Sequence, residues 1–182
     1  MAVWNVIDHT EVGASGAGSW SKDSISGSYD HLYFVAQARS DDAGGYIDEC
    51  KLVLNDDTAA NYSQVHIVAG TGTPSSGYGS GSGQTSANDV YVTGPNGLAD
   101  TFGVLQMWIL DYTSTSKYKQ ILSLFGCPNS STTNFHWFIG QTASLWRSTA
   151  AITKMEFSPE GGGSDEFVQY SSFTLYGING AV

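Results

Sequence analysis

Apolar residues along this chain recur with a period of two. In His31-Leu32-Tyr33-Phe34-Val35-Ala36-Gln37-Ala38-Arg39, one side collects Leu32, Phe34, Ala36 and Ala38. Tyr33, Val35, Gln37 and Arg39 fall on the other, the alternation of a half-buried strand. Runs of similar character follow at about 48–54, 61–69, 87–93, 101–112, 117–126, 132–140, 143–147, 150–158 and 166–178. Val3-Trp4-Asn5-Val6-Ile7-Asp8 makes one more. Each is rich in β-branched or aromatic residues and bounded by Gly, Asn, Asp, Ser or Pro. The nearest approach to a helical stripe, Leu145 to Lys154, is weakened by β-branched Thr149 and Ile152. The pattern predicts an all-β, jelly-roll-like antiparallel β-sandwich of about 8–11 strands, one domain over residues 1–182.

Two runs break the alternation by being apolar on both sides: Val104-Leu105-Gln106-Met107-Trp108-Ile109-Leu110 and Ile121-Leu122-Ser123-Leu124-Phe125. In a single sandwich the outer face of each sheet meets water, so a strand greasy on both faces needs a second cover. Either a covering loop over strands in mid-sheet or another subunit would supply it; another subunit is the expected cover, with Leu105, Met107, Ile109, Leu122 and Leu124 as interface candidates. Trp4, Trp108, Trp137 and Trp146 are expected in the core or at that interface, where aromatics supply the largest buried areas.

Composition narrows the partners. Only 13% of the 182 residues are charged, about half the usual 25%, so the surface is built from neutral polar groups and Gly. Seven Lys+Arg against 17 Asp+Glu give a net charge of −10, which argues against nucleic acid, where cationic neutralisation of phosphate dominates affinity. No apolar run of about 18 residues is present, which excludes a membrane-spanning helix. The opening Met1-Ala2-Val3-Trp4-Asn5 lacks the basic and apolar regions of a secretory leader. Gly70 to Gln84 carries no charge and one aromatic, and reads as a long loop between strands. It lacks the Lys and the following helix of a phosphate cradle.

Candidate chemistry is sparse. Cys50 and Cys127 have no metal spacing, and Cys50 sits in an apolar run that suits a buried thiol; a bridge between them rests on parity alone. Asp8-His9 and Asp30-His31 are strand neighbours pointing to opposite faces, wrong for a carboxylate that orients its own His. His66 and His136 lie inside strand-like runs and read as structural. No Gly-x-Ser-x-Gly elbow precedes a helix. The acids cluster in turns (Asp41/Asp42, Asp56/Asp57, Asp165/Glu166), where a loose calcium site at either of the first two pairs is conceivable. Trp20, Tyr78 and Trp146 lie near turns on a neutral polar chain and could serve as sugar-stacking platforms. Neither an enzyme nor a cofactor is expected.

The stretch Leu145-Trp146-Arg147-Ser148-Thr149-Ala150-Ala151-Ile152-Thr153, the strand ending Phe157-Ser158-Pro159, and the closing Phe173-Thr174-Leu175-Tyr176-Gly177-Ile178 resemble small β-rich virion proteins of tailed bacteriophages. Trp4-Asn5-Val6-Ile7-Asp8-His9-Thr10 and Tyr29-Asp30-His31-Leu32 with Ala38-Arg39-Ser40-Asp41 fit the same pattern. The resemblance implies a jelly roll without catalytic residues, acting in head decoration (cement) or as a tail-associated, receptor- or glycan-binding module. The first strand begins at once and the chain stops four residues after Ile178, so a shaft or anchor is not expected and decoration is favoured. The expected protein is a homotrimer on the outer head surface, bridging major capsid subunits. Arg39, Arg147, Lys117 and Lys119 are the cations expected to pair with capsid acids, unless Lys117 and Lys119 merely guard a strand edge.

Overall fold

The computed structural model describes residues 3–42, 45–70, 73–75, 83–130, 135–161 and 165–180, with the backbone alone at 73–75, 128–130 and 135–137. Among the described residues twelve strands account for the regular structure: β1 (Val3–Glu11), β2 (Trp20–Lys22), β3 (His31–Ala38), β4 (Ile47–Leu54), β5 (Tyr62–Gly70), β6 (Thr73–Ser75), β7 (Ala87–Thr93), β8 (Gly103–Leu110), β9 (Lys119–Ser130), β10 (Phe135–Trp146), β11 (Met155–Pro159) and β12 (Ser172–Asn179). They form two antiparallel sheets packed as a β-sandwich. The large sheet runs β1-β12-β3-β8-β9-β10-β5-β6 and the small one β2-β11-β4-β7. Among the described residues there is no helix. The chain crosses repeatedly between sheets, so each sheet is held by strands distant in sequence.

Alternation chooses the faces as expected. Leu32, Phe34, Ala36 and Ala38 are buried together between the sheets. Facing them from the small sheet are Trp20 of β2, Cys50, Leu52 and Leu54 of β4 and Phe157 of β11. The centre is aromatic: Phe34, Phe157, Phe167 and Phe173 lie with ring centroids 4.8–6.3 Å apart. Such burial supplies the main drive for folding. Polar ties between the sheets include the Tyr62 hydroxyl, which accepts from the Leu54 amide at 3.0 Å, and Trp20, which donates its indole N–H to Asp8 at 3.0 Å. A register shift between Val6 and Asp8 turns that carboxylate inward.

Some boundaries differ from the sequence expectation. The described part of the run at 132–140 and the run at 143–147 join in one strand, β10, paired with β5 from Phe138 through Trp146 without a break, while 132–134 lie outside the described residues. Gly140, which reads as punctuation, sits mid-strand where a Cβ would approach the Phe125 ring to 2.4 Å. Residues 150–154 are irregular rather than extended. They are held by Asn55, whose side chain donates to Ala151 O and accepts from the Thr153 and Lys154 amides. Most of the segment 70–84 lies outside the described residues; within it, Thr73–Ser75 pairs with β5.

Candidate docking face of the large sheet

Registers across the large sheet line up its outward residues in rows. One row reads Tyr176, Tyr33, Trp108, Leu122, Ala143, Val65 across β12, β3, β8, β9, β10 and β5. The next reads Thr174, Val35, Gln106, Leu124, Gln141, Ile67. A third reads Ser172, Gln37, Val104, Gly126, Ile139, Ala69. None of these positions carries Asp, Glu, Lys or Arg, on a chain of net charge −10. Beyond β12 the third row ends on β1 at the exposed Glu11, paired with Ser172, so one acid stands at the margin of this face; the others lie in the turns, on the small sheet and along the sandwich edge.

This face is apolar and uncovered. Val65, Ile67, Val104, Leu110, Leu122, Leu124 and Ile139 are all more than two-fifths exposed, Ile67 reaching 68%. At the β1 side, Trp4 leans edge-on against Tyr33, Trp108 and Tyr176 at centroid distances of 5.2, 5.7 and 5.9 Å. Tyr33 lies 4.4 Å from Trp108 and donates its hydroxyl to Gln106 at 2.5 Å. Where the 111–118 turn rises above the sheet, Trp108, Leu110, Tyr118, Leu122 and Leu145 line a groove of about 1490 Å³. The ion pair Lys117–Asp111 (2.6 Å) stands at its rim. A folded monomer seldom leaves so much contiguous apolar surface to water without a use for it.

The interface candidates divide between the two sides. Leu122 and Leu124 lie on the outer face. Leu105, Met107 and Ile109 do not: they are at most 1% exposed and pack inward against the small sheet. They fall out of any contact set because outward places on β8 belong to Val104, Gln106, Trp108 and Leu110.

Among the cations, Lys119 is corrected. Lys119 neither meets a partner nor guards an edge. It is 1% exposed and donates to the carbonyls of Ser114, Lys117 and Thr149 at 2.6–3.3 Å, while burial lowers its pKa. Arg39 spends its guanidinium on four carbonyls of the 95–101 loop: Leu98, Thr101, Pro95 and Gly97. Arg147 donates to Ala60 O at 2.6 Å, and Lys117 is paired with Asp111. Each of the four is engaged within its own chain.

Of the sugar-stacking candidates, Trp20 and Trp146 are buried at 3% and 2%, and Tyr78 lies outside the described residues. Trp146 donates instead to Asp57 at 2.7 Å. The exposed rings are others: Trp4, Tyr118 and Tyr170. The side chains of Trp137 and His136 also lie outside the described set.

A second polar constellation is spread over segments that look unrelated in sequence. At the sandwich edge, the Asp89 amide donates to Glu49 Oε1 at 2.9 Å, and Gln64 donates to Asp89 Oδ2 at 2.9 Å and to Asn88. Asn88 donates to Glu160 at 3.2 Å, and His66 Nδ1 stands 3.2 Å from Asp89 Oδ2. Burial, reinforced by Glu160 and Asp89, pushes the Glu49 carboxyl up to about 7 against the lowering effect of the Asp89 amide. Asp48 is pushed up to about 6, by burial first and by Asp42 and Asp165 after it.

In the two conceivable calcium pairs, three of the four carboxylates have partners within the chain. Asp41 accepts from the Glu166 amide, Asp56 pairs with Lys154 at 2.8 Å, and Asp57 accepts from Asn61 and Trp146. Among the described residues no group of three or more His, Cys, Asp or Glu is arranged to hold a metal ion. Cys50 and Cys127 are buried free thiols, and burial pushes both thiol pKa values up. The fold and its surface thus define a class: an all-β sandwich with one wide, uncharged, uncovered face. No protein-family model, curated protein or solved structure matches the chain.

Proposed function

We propose that this protein is a structural component of a tailed-phage virion, a capsid decoration (cement) protein that binds as a trimer to the head surface and stabilises the lattice. The phage assignment rests on the sequence resemblance. The mode of action rests on one observation, the broad outer face of the large sheet, whose three central rows hold no charged side chain and are left bare by their own chain. A surface of that kind works by being covered: water is released from apolar area on docking, and no bond is made or broken. Protein that binds only the assembled shell stabilises that shell by mass action, and many copies let modest contacts suffice. Arg39, Arg147, Lys117 and Lys119 are all engaged internally, and association through this face would run on apolar contact and shape.

A second reading, a tail-associated glycan-binding module, is favoured by the group of Trp4, Tyr33, Trp108 and Tyr176 beside a groove edged with Ser63 and Gln120. Loading purified protein onto mature heads that lack it separates the two. Decoration predicts saturable loading at repeated lattice positions, visible by electron microscopy, and a rise in the temperature at which heads rupture. Heads that take up none overturn it, and retention on immobilised host glycans would put the second reading in its place.

A further inference from the structure

We infer that the outer face of the large sheet, centred on Trp108, Leu122 and Leu124, is the contact between copies of this chain. This goes beyond the assembly reading above and does not rest on it: the contact is derived from the face itself, and identical faces that meet give a two-fold pair rather than a ring of three. Three observations select a second copy over other occupants.

The first is charge. Copies with a net charge of −10 repel one another wherever their carboxylates meet. The three rows across β12, β3, β8, β9, β10 and β5 hold no ionised side chain, so there alone among the broad described surfaces two copies can meet without bringing acids together.

The second is area. Six strands spaced about 4.8 Å apart, paired over about seven residues, present a flat projection on the order of 700 Å². A stable protein–protein contact covers about 800 Å² per partner. A glycan chain or a single peptide strand would leave most of the face wet.

The third is composition. Leucine, isoleucine and valine alternate with Gln106, Gln141 and Gln37, amides that both donate and accept and so can pair with their own kind. Identical faces are then chemically compatible with each other. A partner recognised by charge would find nothing to pair with here.

The experiment is the mass of the full chain by light scattering and sedimentation over a wide concentration range, beside Leu122→Asp/Leu124→Asp. The wild type is expected to associate. The double variant should keep the wild-type β-sheet circular dichroism and associate at least about 100-fold more weakly, because each new carboxylate must be desolvated in the contact. Ile67→Lys, at a position 68% exposed, serves if the double variant fails to fold. Raising the salt concentration should leave wild-type association unchanged or stronger, since it screens repulsion. Weakening by salt would overturn the assignment.

The outcomes also separate this contact from the decoration reading. A dimer through this face keeps the inference and removes the trimer. A wild type that stays monomeric throughout overturns the inference, whether or not it loads onto heads. If that monomer loads and the double variant does not, the face belongs to the capsid; if the face takes up oligosaccharide as a monomer, it belongs to a glycan.

Discussion

Strands β8 and β9 carry two apolar faces that the sequence makes look alike and the fold treats in opposite ways. Inward, Leu105, Met107, Ile109, Ile121 and Phe125 are at most 2% exposed. Outward, Val104, Leu110, Leu122 and Leu124 are between 42% and 55% exposed. Both sets have the composition of a core, but only one has a second sheet of its own chain against it. Hydrophobicity alone therefore marks surface that is to be covered and leaves open by what.

The largest expected effect separates the two faces directly. Leu105→Asp buries a carboxylate in the aromatic and aliphatic core, and should cost more than the about 2–5 kcal/mol of a Leu→Ala truncation there, enough to abolish folding. Leu122→Asp should change the monomer's stability by no more than about 1 kcal/mol, as an exposed substitution does. Urea unfolding checks both, at protein concentrations low enough to exclude association. Equal losses would mean that the outer face is held by its own chain after all.

Lys119 tests what the inner side demands of a polar group. Its ammonium is tolerated because three carbonyls meet it. Lys119→Met keeps the aliphatic length and leaves those carbonyls without their donor, a loss of about 2–4 kcal/mol. Gln120→Met, one residue along and outward, should be near neutral. A denaturation midpoint unmoved in the Lys119 variant would show that water replaces the ammonium.

How much of this was legible depends on what each residue's neighbours are. The strands are readable because alternation is local, and it groups Leu32, Phe34, Ala36 and Ala38 on one side without reference to anything distant. In β8 and β9 the alternation is erased, so inward could not be told from outward; Leu105 was grouped with Leu122 although the register sets Trp108 opposite Leu122. Lys119, flanking Tyr118 with Lys117, reads as a solvated charge, because the Thr149 carbonyl it meets is 30 residues away. The edge constellation was missed because Glu49, His66, Asp89 and Glu160 come from separate segments. The available signal was Asn88-Asp89 inside the apolar run 87–93, two polar residues where a strand would bury something.

Two glycines carry the comparison down to one methyl group. At Gly140, on the inner side, a Cβ would meet the Phe125 ring at 2.4 Å and Val68 at 2.7 Å. Gly140→Ala should therefore destabilise by about 1–3 kcal/mol through overpacking. At Gly126, on the outer side, nothing lies within 4 Å of the added atom. Gly126→Ala should be neutral or stabilising by up to about 1 kcal/mol, through the lower entropy of the unfolded chain. Melting temperatures of the two variants give the contrast, and a stable Gly140→Ala would mean that Phe125 can move aside.

The smallest expected effect lies where the two sheets meet at the sandwich edge, and it is a slope rather than a level. Glu49 titrates near 7 in the fold against 4.5 when free, and Asp48 near 6 against 3.8. Both are raised, so between the free and folded values the native state holds protons that the unfolded chain has released. The associated stability is complete below about pH 4 and is lost as the pH climbs through 6 and 7. Glu49 keeps part of its surface in water, and solvent screening keeps its share small. Glu49→Gln removes one ionisation while retaining an acceptor for the Asp89 amide. Its melting temperature should fall less steeply between pH 5 and 8 than that of the wild type, with the two curves closest at the acid end. Val65→Thr, on the bare outer face, should run parallel to the wild type at every pH. Parallel curves for Glu49→Gln as well would place the titration elsewhere and leave the edge no more sensitive to protons than the face.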